Sequence, residues 1–240
     1  LLCAALIVGC SLASGPTVAA LYRDPARHVV IDGPPAGLNA TRQLLDACGT
    51  SLDRYLGKAP APATPLTVFL PDPESPGRPS PEGALVVPGD AQVATLCHAL
   101  TIRLLARHPA AAIREHDQPP PPLGWLVAAV TFDVLHARGP GTDGRGPNYQ
   151  PARAAYGRGA YPDIAALLTQ PMPPRFAIAY TLYGMHCHIF TEALLDPGSP
   201  ETSLLLDLVK RLAAGTTPAE ALTQVADTAA KGQTPVDEWY

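Results

Sequence analysis

Proline decides where this chain can be regular. The ring fixes φ and removes the backbone N–H, so a helix interior or a central strand cannot run through a proline cluster. The chain holds 29 prolines in 240 residues, gathered in stretches such as Pro60-Ala-Pro-Ala-Thr-Pro65, Pro71 to Pro81 and Gln118-Pro-Pro-Pro-Pro122. Regular elements are confined to what lies between, and the prolines read as rigid loops. An apolar content of 47% with 16% charged residues is that of a globular chain with a core, which excludes disorder throughout.

Between the clusters the period of the apolar residues assigns the elements. Arg27-His-Val-Val-Ile31 reads as a first strand, closed by the turn cluster Asp32-Gly-Pro-Pro35. Leu38 to Leu56 carries Leu45, Cys48, Leu52 and Tyr55 at helical spacing, an amphipathic helix that should lie on a sheet. Leu66 to Leu70 and Ala84 to Val87 are β-rich. These pieces make a small lobe of three strands and a helix, leading into an apolar helix from Thr95 to Arg107. The second half is mainly helical, so the class is α+β. Gln118 to Pro122 should be a stiff polyproline connection before a helix from Trp125 to His136. Ser199-Pro200-Glu201 and Thr217-Pro218-Ala219-Glu220 each set a cap ahead of a first-turn proline, the second as a capping box. Leu204, Leu208 and Leu212 form a core stripe, and Gly215 stops that helix.

The N-terminus, Leu1 to Cys10, is an apolar segment too short to span a bilayer. Ile7-Val8-Gly9-Cys10 resembles the bacterial lipobox. That resemblance implies a signal peptide over 1–9, lipidation of Cys10, an anchor and linker over 10–26 and a folded domain over 27–240, divided into an α+β lobe (27–90) and a helical lobe (91–240). The destination is then the bacterial cell envelope, with a lipid anchor in the membrane, periplasm-facing or at the outer membrane, which Ser11 favours by resemblance to enterobacterial sorting. The same residues also read as an ordinary signal peptide cleaved near Ala13 or Ala20, or as a buried strand.

On a helix, residues i and i+4 share a face, which lets H-E-x-x-H present two imidazoles to one zinc while its Glu activates water. Here the frame reads His98-Ala99-Leu100-Thr101-Ile102. Ala99 cannot act as a base and Ile102 has no lone pair for a metal. Pro122 to Phe132 is similar to the gluzincin segment P-x-W-L-x-E-G-x-A-x-Y, with Trp125 and Leu126 matching and Ala128 at the third-ligand position. Tyr180 to Phe190 resembles the Tyr-rich helix that follows, and Gly215 to Leu222 with Glu238-Trp239 resembles the "G-x-x-P-x-E-A-L … E-W" ending. The chain therefore resembles the peptidase-MA-like, or gluzincin, group. The resemblance implies a gluzincin-like helical lobe, Tyr180 or Tyr183 at the place of an oxyanion-stabilising tyrosine, and no catalytic residues, cofactor or metal, because the base and two ligands act as a unit and are replaced. It implies a pseudoenzyme that binds a peptide or protein partner.

Two alternatives remain open. One is a metal-dependent hydrolase with a relocated zinc site built from His98 with His186 or His188, with Cys97 or Cys187 as further ligands. Its bland counterpart is a partly buried His98 bonded to a backbone or tyrosine group, with His186 or His188 near the surface. The other is a purely structural envelope protein. Cys48, Cys97 and Cys187 sit in apolar helical patterns; they read as buried free thiols, or as a Cys97–Cys187 bridge. Arg138 to Tyr161 is a basic, aromatic, Gly/Pro-rich stretch that reads as a solvated insertion or as a binder of an anionic surface or peptide. A net charge of −4 and no basic cluster on a helix or sheet argue against nucleic acid.

Overall fold

The computed structural model describes residues 20–72, 78–111, 121–138, 146–159, 162–171, 173, 178–195 and 203–231. The fold is α+β: a four-stranded sheet in the N-terminal part, then helices. Strand β1 (Ala20–Asp24) pairs antiparallel with β2 (Val29–Gly33), which pairs parallel with β3 (Leu66–Phe69), and β3 pairs parallel with β4 (Leu85–Val86).

Two boundaries differ from the sequence expectation. Ala20–Asp24, read there as linker, is an edge strand, and β2 runs on through Asp32 and Gly33 where a turn was expected. The reason is the hairpin between them. Asp24 accepts hydrogen bonds from the backbone N–H groups of Ala26 and Arg27, and His28 adopts a positive φ of 51°, so the chain reverses at residues 25–28, ahead of β2 and of the Pro34-Pro35 pair. Asp32 is then held in the strand by a bidentate ion pair from Arg78.

Helix α1 (Pro35–Leu56) connects β2 to β3 and buries Leu44, Leu45, Cys48, Leu52 and Tyr55 along one face, the periodicity read from sequence. Helix α2 (Val93–Ala106) packs on α1 and on α3 (Pro121–Phe132). Leu123 and Trp125 to Val130 are all fully buried, because α3 is apolar on every face and α1, α2, α5, α6 and α7 surround it. Pro121 and Pro122 are its first turn, where a missing N–H costs nothing, and not a polyproline segment.

At Asp133 the α-helix gives way to a π-helical turn, Asp133–Arg138. Short helices α4 (Gln150–Tyr156) and α5 (Ile164–Thr169) follow, then α6 (Ile178–Leu194), which packs along α3, α7 (Leu204–Ala213) and α8 (Pro218–Lys231). Gly184 makes the α3–α6 contact close: a Cβ there would lie 3.4 Å from the Ala128 carbonyl oxygen and from Phe132 Cβ. The Thr217–Glu220 capping box forms, with the Thr217 hydroxyl donating to the Glu220 carboxylate at 2.7 Å. Ser203 caps α7; the cap expected at Ser199 lies outside the described residues, as do Cys10 and Glu238 to Tyr240. The stripe on α7 is Leu205, Leu208, Val209 and Leu212, with Leu204 half-buried, and Gly215 (φ 90°) ends the helix. One buried cluster runs from Val29 in the sheet to Val225 in α8.

Candidate functional site

Of the positions that resemble a zinc-peptidase centre, His98, Trp125 and Ala128 lie in the core, and Ala99 and Ile102 are half-buried. His98 is 1% exposed and Ala128 and Trp125 are 0% exposed. His98 Nδ1 lies 3.5 Å from the Tyr180 hydroxyl, and Trp125 meets Phe190 edge-to-face at 5.5 Å. Tyr183, the other tyrosine considered for an oxyanion role, donates to the Leu167 carbonyl oxygen, and burial raises its pKa. These contacts fill and close the region.

The histidines considered for a relocated metal site, His98 with His186 or His188, are dealt to three different tyrosines. His98 meets Tyr180, His186 Nδ1 meets Tyr156 at 2.8 Å, and His188 Nδ1 meets Tyr149 at 3.0 Å. Residues two apart on a helix are separated by about 200°, so His186 stays half-buried while His188 turns inward to 1% exposure. Tyr149 and Tyr156 thereby place α4 against α6, while most of residues 146–159 stay exposed, as expected of a solvated insertion. Arg153 and Arg158 are exposed there; residues 139–145 and 160–161 lie outside the described residues.

The thiols also pair differently. Cys48 on α1 and Cys97 on α2 bring their sulfurs to 3.5 Å, both fully buried, while Cys187 is a separate free thiol. The hydrogen bond to Cys48 together with burial pushes the Cys97 thiol up, the Cys97 contact holds Cys48 lower, and burial raises Cys187. A Cys97–Cys187 bridge is not formed because Cys97 faces α1 and not α6.

What does converge is a polar cluster beside the π-helical turn. Asp133, fully buried, accepts from the Ser51 hydroxyl at 2.7 Å through Oδ2 and faces His188 Nε2 at 3.1 Å through Oδ1. A carboxylate only accepts, so Nε2 carries a hydrogen, and in the neutral imidazole Nδ1 accepts from Tyr149. Glu192, one turn beyond His188, brings Oε1 to 3.6 Å from Nε2. Arg54 grips both Glu192 oxygens, and Tyr55 donates to Oε1 at 3.2 Å. The side chains of Arg54 and Glu192 are 25% and 30% exposed, so the cluster is buried at Asp133 and His188 and opens to solvent at Glu192. Among the described residues, Asp133, His188 and Glu192 are the group of three metal-ligating side chains whose ligand atoms lie within 4.8 Å of one another.

No family model, curated protein or solved structure matches this chain. Its chemistry is therefore read from its own residues. Apart from His188, sequence reasoning passed over this cluster. The i, i+4 pair His188-x-x-x-Glu192 was a visible signal, but Asp133, Ser51 and Arg54 join it only through packing of α1 and the π-helical turn against α6.

A second feature is a cleft of about 260 Å³ lined by Arg27, Asp53, Lys58, Leu104, Arg107 and His108, among others. Arg27 pairs with Asp24 and Asp53, and Arg107 donates to the backbone oxygens of Arg27, His28 and Thr64. Lys58 is exposed at the rim. Burial lowers the pKa of His108.

Proposed function

We propose that this chain is a gluzincin-like body without peptidase chemistry, exported and lipid-anchored through Cys10 in a bacterial cell envelope, which acts by binding a peptide or protein partner. The observation that carries this reading is the condition of the matched positions. Ala99 and Ile102 stand at the places of base and second ligand, and Ala128 stands at the place of the third. Ala128 and His98 are closed inside the core, so no peptide bond can reach the imidazole. The order of elements agrees with the resemblance, since a sheet with one long helix leads into the His98 helix and then the Trp125 helix. The cleft beside Arg27, Lys58 and Arg107 supports a binding role. Its volume suits a side chain or a chain end rather than a small folded domain, and its lining carries both signs of charge, Arg27 and Lys58 beside Asp53.

The test compares the full chain in membranes with its Cys10→Ser form. The first should sediment with the membrane and the second should be released; neither should cleave a mixed peptide library, with or without chelator. Chelator-sensitive cleavage abolished by His98→Ala would overturn the reading.

A further inference from the structure

We propose that Asp133, His188 and Glu192 form a binding site for a divalent cation of the zinc or manganese kind, held between the π-helical turn and α6.

The three ligand atoms lie within 4.8 Å of one another, close to the spacing of atoms that share an ion. Ligands at roughly 2.1 Å from one metal lie roughly 3.0 to 3.4 Å apart in octahedral to tetrahedral arrangements. His188 Nε2 lies 3.1 Å from Asp133 Oδ1 and 3.6 Å from Glu192 Oε1. A cation bound through Nε2 takes the other tautomer of the neutral imidazole, in which the hydrogen sits on Nδ1 and is donated to the Tyr149 hydroxyl oxygen, and side-chain adjustments would bring the two carboxylate oxygens to the same ion. Two carboxylates and a neutral imidazole match a divalent charge, and the mix of N and O ligands suits Zn²⁺ or Mn²⁺ rather than a soft Cu(I) ion.

Asp133 and His188 are each oriented by a partner on a different atom from the one turned inward, and Glu192 is held on both oxygens, with Arg54 and Tyr55 also on the inward Oε1. Ser51 holds Asp133 through Oδ2, Tyr149 holds His188 through Nδ1, and Arg54 holds Glu192 through Oε2 as well as Oε1. Such outer partners set the tautomer and the rotamer of metal ligands. The Tyr149 contact fixes Nε2 as the atom facing the carboxylates.

Two further observations bear on the assignment. Asp133 begins a π-helical turn, a local irregularity that occurs often at functional sites and here aims the carboxylate across at α6. Glu192 is the part of the cluster that meets solvent, so an ion can enter on that side and keep water as its remaining ligands. Arg54 competes for Glu192 charge; the carboxylate retains it through Oε2 while Oε1 turns to the ion.

The experiment uses the full chain stripped with chelator, dialysed, and titrated with Zn²⁺ alone, then with Co²⁺ as a spectroscopic substitute. Bound metal is counted by mass spectrometry and the melting temperature is followed. About one ion per chain is expected, with visible Co²⁺ bands and a raised melting temperature. Glu192→Gln, a change at the solvent-facing side, should weaken binding by about tenfold or more, and Tyr149→Phe by about 10- to 100-fold. His188→Ala should abolish it. Failure of the wild-type chain to retain an ion or to shift its melting temperature would overturn the proposal. So would an ion retained equally by Glu192→Gln and Tyr149→Phe, since it would then be bound elsewhere.

Discussion

Cys48 and Cys97 show how far a residue's chemistry depends on its neighbour. Each alone is an ordinary buried thiol, but at 3.5 Å they share hydrogen bonding, and neither can reach solvent. Cys187 is equally enclosed. A thiolate, not a thiol, is the reactive species, and burial holds Cys97 and Cys187 in the protonated form. In a chain shortened to begin at residue 20, iodoacetamide should leave all three unmodified under native conditions over a time in which a urea-unfolded sample is fully modified. Mass spectrometry checks this, and rapid native labelling of any of the three would mean that its helix opens locally.

Among the elements, the joint between β2 and β3 is the least forgiving. An added Cβ at Gly33 would sit 2.4 Å from Leu70 Cβ and 2.9 Å from the Leu70 carbonyl oxygen, so backbone has to move. Gly33→Ala should destabilise by about 1–3 kcal/mol, measured as a lower urea midpoint with unchanged slope. The helices were legible where an apolar face repeats over several turns, as Leu45, Cys48, Leu52 and Tyr55 do in α1. Ala20–Asp24 was not, because five residues leave too few repeats to distinguish a strand from a linker and its partner lies beyond the turn. The π-helical turn left no signature either. Its first residue, Asp133, meets Ser51 and His188, contacts that belong to tertiary packing.

For the molecule as a whole, one core joins the sheet to the last helix, and buried polar groups inside it set the response to acid. His108 and His186 have pKa values lowered by burial from an unfolded value near 6.5. Below that value the unfolded chain takes up protons that the folded chain resists, so their contribution to stability is complete above about pH 6.5 and falls as the pH drops. Urea midpoints should decline between pH 7.5 and 5.5, and His108→Gln should flatten the decline. The candidate site was legible only in part for the same reason of scale. His188 and Glu192 share one helix and can be read together. Asp133, Ser51 and Arg54 come from two other parts of the chain, and no spacing rule links them.

Arg54 and Glu192 are 138 residues apart in sequence. At a synthesis rate of roughly 5–20 residues per second, Arg54 leaves the ribosome roughly 7 to 28 s before the carboxylate that will hold it. During that interval β3 and β4 are added to the sheet beneath α1, but there is no α6 to meet. The polar cluster therefore cannot close until α6 is made, and α7 and α8 complete the core after it; a nascent chain stalled before α6 would hold Arg54 and Asp133 ahead of the Glu192 and His188 that they meet in the folded chain.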